Sequence, residues 1–95
     1  MTTSTDAADL LRLCMLALCI WREARGESMR GKRLVGQVIA NRVTDSRWPD
    51  DYLGVITQPK QFSAFNAGDP NALKFPRETD PAWPACVEAA RMVLE

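Results

Sequence analysis

Leu10-Leu11-Arg12-Leu13-Cys14-Met15-Leu16-Ala17-Leu18-Cys19-Ile20-Trp21-Arg22-Glu23-Ala24-Arg25-Gly26-Glu27 is the stretch on which the reading of this chain turns. Asp6, Asp9 and Arg12 fall on one stripe of a helix that Thr5-Asp6 can cap, and from Leu13 to Trp21 the same helix is apolar on all sides. A helix of that kind belongs in the centre of a domain. Gly26 is expected to end it in a left-handed or tight turn, so Glu23 stands where a buried helix opens into a loop.

The stretch is no export signal. Acidic residues precede it where a signal peptide is basic, Arg12 interrupts it, and no small-residue cleavage site follows. It is also too short to span a bilayer.

Outward from this helix, Ser28 is placed to cap a second one whose inward stripe is expected at Leu34, Val38 and Ile39, joined by Val35 and Val43. Gly31 and Gly36 weaken it by about 1 kcal/mol each relative to alanine, which points to close helix contacts at both positions. Asp50 can cap a short helix over 51–57, closed by Pro59. The segment 58–80 carries Pro, Gly, Asn and Asp without periodicity and reads as a long ordered loop. Thr79 or Asp80 caps a last helix with Pro81 in its first turn and an apolar face of Cys86, Val87, Ala90, Val93 and Leu94. The fold class is all-α with loop insertions, in one domain. Trp48 and Trp83 read as core covers.

Composition narrows the chemistry. Twelve basic and twelve acidic side chains cancel in 95 residues, so no global field draws the protein to nucleic acid or to an anionic membrane. There is no histidine, which removes Ser/His/Asp triads, Cys/His dyads and His-based metal sites. Cys14, Cys19 and Cys86 have no metal-ligand spacing and read as buried thiols; no cofactor or metal is expected. Chemistry is left to carboxylates, hydroxyls, amides and arginines. A glutamate at the end of an apolar helix is partly desolvated, and desolvation favours the protonated form that a general acid needs. Trp21 and the 16–20 segment would supply the apolar wall, with Arg22 and Arg25 pulling the other way.

Trp21-Arg22-Glu23-Ala24-Arg25-Gly26-Glu27, then Ile39-Ala40-Asn41-Arg42-Val43, then Gln58-Pro59-Lys60-Gln61-Phe62-Ser63 resemble, in that order, the SleB-like cell-wall hydrolases. The resemblance runs from about Leu13 to Phe65. It implies a small domain similar to lysozyme and the lytic transglycosylases, with Glu23 as catalytic acid. It further implies cleavage of the β-1,4 bond between N-acetylmuramic acid and N-acetylglucosamine in peptidoglycan glycan strands.

In the lytic route one carboxylate suffices: it protonates the leaving oxygen, then helps the muramic 6-hydroxyl attack its own anomeric carbon. A hydrolytic route needs a second carboxylate roughly 5 to 9.5 Å away, and Glu27 is the candidate nearby in sequence. Glu27 is expected mainly to bind backbone amides at the start of the second helix, and Arg25 to brace these carboxylates. Gln61, Phe62 and Ser63 would line the glycan cleft with an amide, a ring face and a hydroxyl. Asn41 is a substrate-binding candidate that reads first as a buried bracket between helix and loop.

Relatives usually continue into a Gly-Ala-Thr-like turn with aromatic residues. The sequence stops at Glu95 without it, so the expectation is a single domain over residues 1–95, incomplete at its C-terminus. An incomplete wall leaves two alternatives open, a homodimer and a non-catalytic module that binds glycan or a protein. With no export signal or membrane insertion read in the sequence, the expectation is a protein made in the cytoplasm that reaches the wall through a holin, a secretion system or a removed leader, or acts after lysis.

Overall fold

The structure, a computed structural model, describes residues 7–44 and 74–95. They form three helices, α1 (Ala7–Ala24), α2 (Met29–Val43) and α3 (Ala82–Leu94), and no strand occurs among them. Each helix packs against both others. Over the described residues the all-α reading is what is found, and it is compatible with a small lysozyme-like helical domain. The Thr5-Asp6 cap, the 51–57 helix, Trp48 and most of the 58–80 loop lie outside the described residues.

The core is built from the second half of α1. Leu16, Ala17, Cys19 and Ile20 are fully buried, with Trp21 and Ala24 nearly so; Ile39 of α2 and Cys86, Ala89 and Ala90 of α3 close it. Burying a side chain such as Leu16, Ile20 or Ile39 is worth about 1.5–3 kcal/mol, so these few residues carry much of the stability. The first half of α1 is different: Leu10, Leu11 and Cys14 are exposed. The fully buried part of the helix begins at Leu16, with Leu13 and Met15 partly buried against the core. Cys14 is correspondingly no buried thiol, whereas Cys19 and Cys86 are.

Ser28 caps α2 as expected, with extended backbone and its Oγ accepting from Gly31 N at 3.2 Å. The inward stripe is rotated from the expected one. Lys32, Gly36 and Ile39 are buried, Val35 and Val43 pack against the core, and Leu34 and Val38 face outward. Gly36 lies at the closest approach of this face to the other two helices. A Cβ there would lie 3.0 Å from Val93 Cγ2 and 3.1 Å from Ile20 Cδ1, tighter than side chains ordinarily pack, so α1, α2 and α3 meet closely at this glycine.

In α3 the apolar face is as expected, with Ala89 added. Trp83 packs against the core. The start of the helix is organised by Asp80: its Oδ1 accepts from Ala82 N at 2.8 Å and its main-chain carbonyl accepts from Trp83 N at 3.1 Å. An acceptor just ahead of Pro81 satisfies amides that the helix leaves bare.

Candidate functional site at the end of α1

Three consecutive residues fasten and present the C-terminal turn of α1. Trp21 is buried and donates its indole N–H to Asp80 Oδ2 at 3.0 Å, tying α1 to the head of α3. Arg22, also buried, donates through Nε to the Lys74 carbonyl at 3.0 Å, and its guanidinium lies over the Phe75 ring, 4.7 Å from the centroid. Burial lowers the Arg22 pKa, with Cys19 opposing. Glu23 follows and is exposed.

The expected apolar wall around Glu23 is therefore not built by Trp21 or by residues 16–20, since those side chains turn into the core. What the helix gives Glu23 is a backbone held on both preceding positions. Its charge still acts on the helix interior: burial pushes the Cys19 thiol far up, and the Glu23 carboxylate one turn away adds to the shift while Arg22 opposes it.

The turn from α1 to α2 is held mainly by cations. Arg25 Nη1 donates to the Trp21 and Arg22 carbonyls, each at 3.2 Å, and its guanidinium stacks 4.6 Å from the Trp21 ring centroid. It thus braces the negative end of α1 and not, as expected, the carboxylates. Lys32 is buried, with its ammonium donating to the Glu27 carbonyl.

Glu27 is exposed. The amide at the start of α2 that it was expected to bind is taken by Ser28, one residue nearer. Its side chain folds instead over Gly31, where an added Cβ would stand 2.8 Å from Glu27 Cβ. Gly26 is not left-handed, and a Cβ on it would meet nothing within 4 Å. The end of α1 is closed by Arg25 on the Trp21 and Arg22 carbonyls, and not by a left-handed glycine.

Asn41 is exposed rather than buried; its Oδ1 accepts from Gln37 Nε2 at 3.0 Å, one turn back. Gln61, Phe62 and Ser63 lie outside the described residues. Phe75 is the residue that sequence reasoning missed. It sits in a segment read only as loop, and it is 67% exposed with Arg22 beneath one face. The available signal was an aromatic between Lys74 and Pro76, too common a pattern to single out.

Cys86 is buried among charges. Burial raises its pKa, while Lys32 lowers it, Asp80 raises it and Arg25 lowers it. Among the described residues no three His, Cys, Asp or Glu side chains are grouped to hold a metal ion, and no helix is long and apolar enough to cross a membrane.

A model of the Cell Wall Hydrolase family matches residues 26–95, well over half of the chain. The chain belongs to that family. Over 54 residues, 57% of its length, it is 39% identical to the spore cortex-lytic enzymes of Oceanobacillus iheyensis and Bacillus cereus. It is 37% identical over the same length to the spore cortex-lytic enzyme of Bacillus subtilis. The matched stretch is 20%, 21% and 18% of those three relatives, so the chain spans about a fifth of the curated proteins it resembles. No solved structure matches it. Within the chain, Glu27, Asn41 and the Gln61–Ser63 segment fall inside the family match, and Glu23 lies three positions before its first residue.

Proposed function

We propose that this cell wall hydrolase cleaves the β-1,4 bond between N-acetylmuramic acid and N-acetylglucosamine in peptidoglycan, with Glu23 as general acid. The observation that carries the reading is the fastening of the last turn of α1. Trp21 and Arg22 are both tied to the approach to α3, so the next residue projects a solvent-facing carboxylate from a fixed backbone. Catalytic groups work best from such rigid elements. Family membership and the spore cortex-lytic relatives supply the substrate class.

Glu23 protonates the glycosidic oxygen as the bond to the anomeric carbon breaks. The bound glycan covers the exposed carboxyl and desolvates it. In the lytic route Glu23, now a carboxylate, takes the proton of the muramic 6-hydroxyl as that oxygen closes on the anomeric carbon, leaving a 1,6-anhydro end. The route needs one carboxylate, which suits a site where Glu27 folds over Gly31 at the start of α2. Phe75, open on the face turned away from Arg22, offers a sugar ring a flat apolar surface.

The exposure of Glu23 also favours a second reading, a module that binds glycan without cutting it. One experiment separates the two. Digestion of purified sacculi, analysed by mass spectrometry, is expected to release anhydro-muramic products with the wild-type chain and none with Glu23→Gln. Equal release by both proteins would end the assignment of Glu23, and binding to sacculi without products from either would establish the binding module.

A further inference from the structure

Helix α2 carries Arg30, Lys32, Arg33 and Arg42 and no acidic residue. Three of these cations stand at or next to its first turn, where the helix dipole is already positive and the arrangement costs stability. Lys32 turns inward to the Glu27 carbonyl. Arg30 and Arg33 do not: both are exposed, and among the described residues neither has a hydrogen bond or ion pair. They border a groove of about 350 Å³ between α2 and α3, completed by Leu34, Gln37, Met92 and Val93. Leu34 is 58% exposed and Met92 is 39% exposed along it.

We infer that this groove binds the carboxylate-bearing peptide stem attached to muramic acid, an inference that rests on peptidoglycan being the substrate. Arg30 and Arg33 are three apart, so they project as neighbours about 5–6 Å apart on one helix face. A peptide advances at most 3.3–3.6 Å per residue, which lets carboxylates one or two residues apart reach both guanidiniums. The Gln37 amide, one turn further along, can pair with a peptide group. Leu34, Met92 and Val93 offer an apolar edge to the small side chains of such a stem, which a phosphate polymer has nothing to fill. The position is also apt. The groove begins in the first turn of α2, and only the turn 25–28 separates that helix from the end of α1 where Glu23 projects.

Calorimetric titration with muramoyl peptides carrying free carboxylates, and with the same peptides amidated, tests the inference. The free form is expected to bind about tenfold more tightly, with the preference shrinking at high salt. Arg30→Gln/Arg33→Gln, checked for unchanged helical circular dichroism, is expected to lose that preference, and Glu23→Gln to keep it. Retention in Glu23→Gln separates the groove from catalysis: if Glu23 proves dispensable for cleavage while the preference holds, only the catalytic assignment falls. Equal affinity of the wild-type protein for the two peptides would overturn the inference, and this comparison needs no variant. So would inorganic phosphate binding as tightly as the peptide, or a dimer that the double substitution dissociates, which would make the groove a contact between copies of the chain.

Discussion

Trp21 and Asp80 are 59 residues apart in the chain and joined by one hydrogen bond, from the indole N–H to Oδ2 at 3.0 Å. The other oxygen of the same carboxylate receives Ala82 N. Asp80 therefore begins α3 and fixes the end of α1 at once, and the turn bearing Glu23 depends on it.

Asp80→Ala is expected to lower stability by about 2–3 kcal/mol, since a cap and a charge-assisted bond to a part-buried donor are lost together. Trp21→Phe, which removes only the donor and some area, should cost less, about 1–2 kcal/mol. Denaturant unfolding of the two single variants and the double variant gives the coupling. Strictly additive losses would mean that the bond contributes nothing.

Gly36 and Gly26 should respond oppositely to an added methyl. Gly36→Ala forces a methyl to 3.0 Å from Val93 Cγ2 and is expected to destabilise by about 1–3 kcal/mol despite alanine's better helix propensity. Val93→Ala in the same chain should recover part of the loss. Gly26→Ala meets open space at an ordinary backbone conformation and should be neutral or stabilising by up to about 1 kcal/mol. Thermal melts of the three proteins check both statements.

Cysteine reactivity should divide by burial. Cys14 is exposed and should react first with a thiol reagent, while Cys19 and Cys86 wait for unfolding. Both buried thiols have folded-state pKa values raised from the ordinary 9.0. A raised pKa means that the folded chain holds protons which the unfolded chain releases first. Their contribution is complete below about pH 9 and is lost as pH rises above it toward the folded values. Urea midpoints should therefore fall between pH 9 and 11, and Cys19→Ala should flatten that fall while lowering stability at pH 7 through the cavity it leaves.

Phe75→Ala should weaken substrate use without removing chemistry. On short soluble glycan strands we expect KM to rise about three- to tenfold with kcat little changed, and Phe75→Tyr to restore KM. A selective fall in kcat would instead place Phe75 at the reacting bond.

How much of this was legible in the sequence follows from the range of each interaction. Short-range features could be read: Ser28 as a cap, Asp80 ahead of Pro81, the apolar face of α3, and the place of Glu23 at the end of α1. Features decided by a distant partner could not. Leu34 and Val38 fit an inward stripe as well as Val35 and Ile39 do, and the second set is the one that shares a face with Gly36, which lies against Ile20 and Val93. Arg25 could brace a carboxylate or a helix end, and the stacked Trp21 ring decided for the helix end. Phe75 could not be singled out because its significance comes from Arg22, 53 positions earlier.

The Lys32 ammonium takes its acceptor from the main chain of Glu27, not from the Glu27 carboxylate. A carbonyl is present whatever residue occupies a position, so this joint between α1 and α2 is indifferent to the side chain at 27. The identity of that residue is therefore answerable to the room above Gly31 and to whatever approaches from solvent, and a carboxylate there can be exchanged without loosening the turn that follows Glu23.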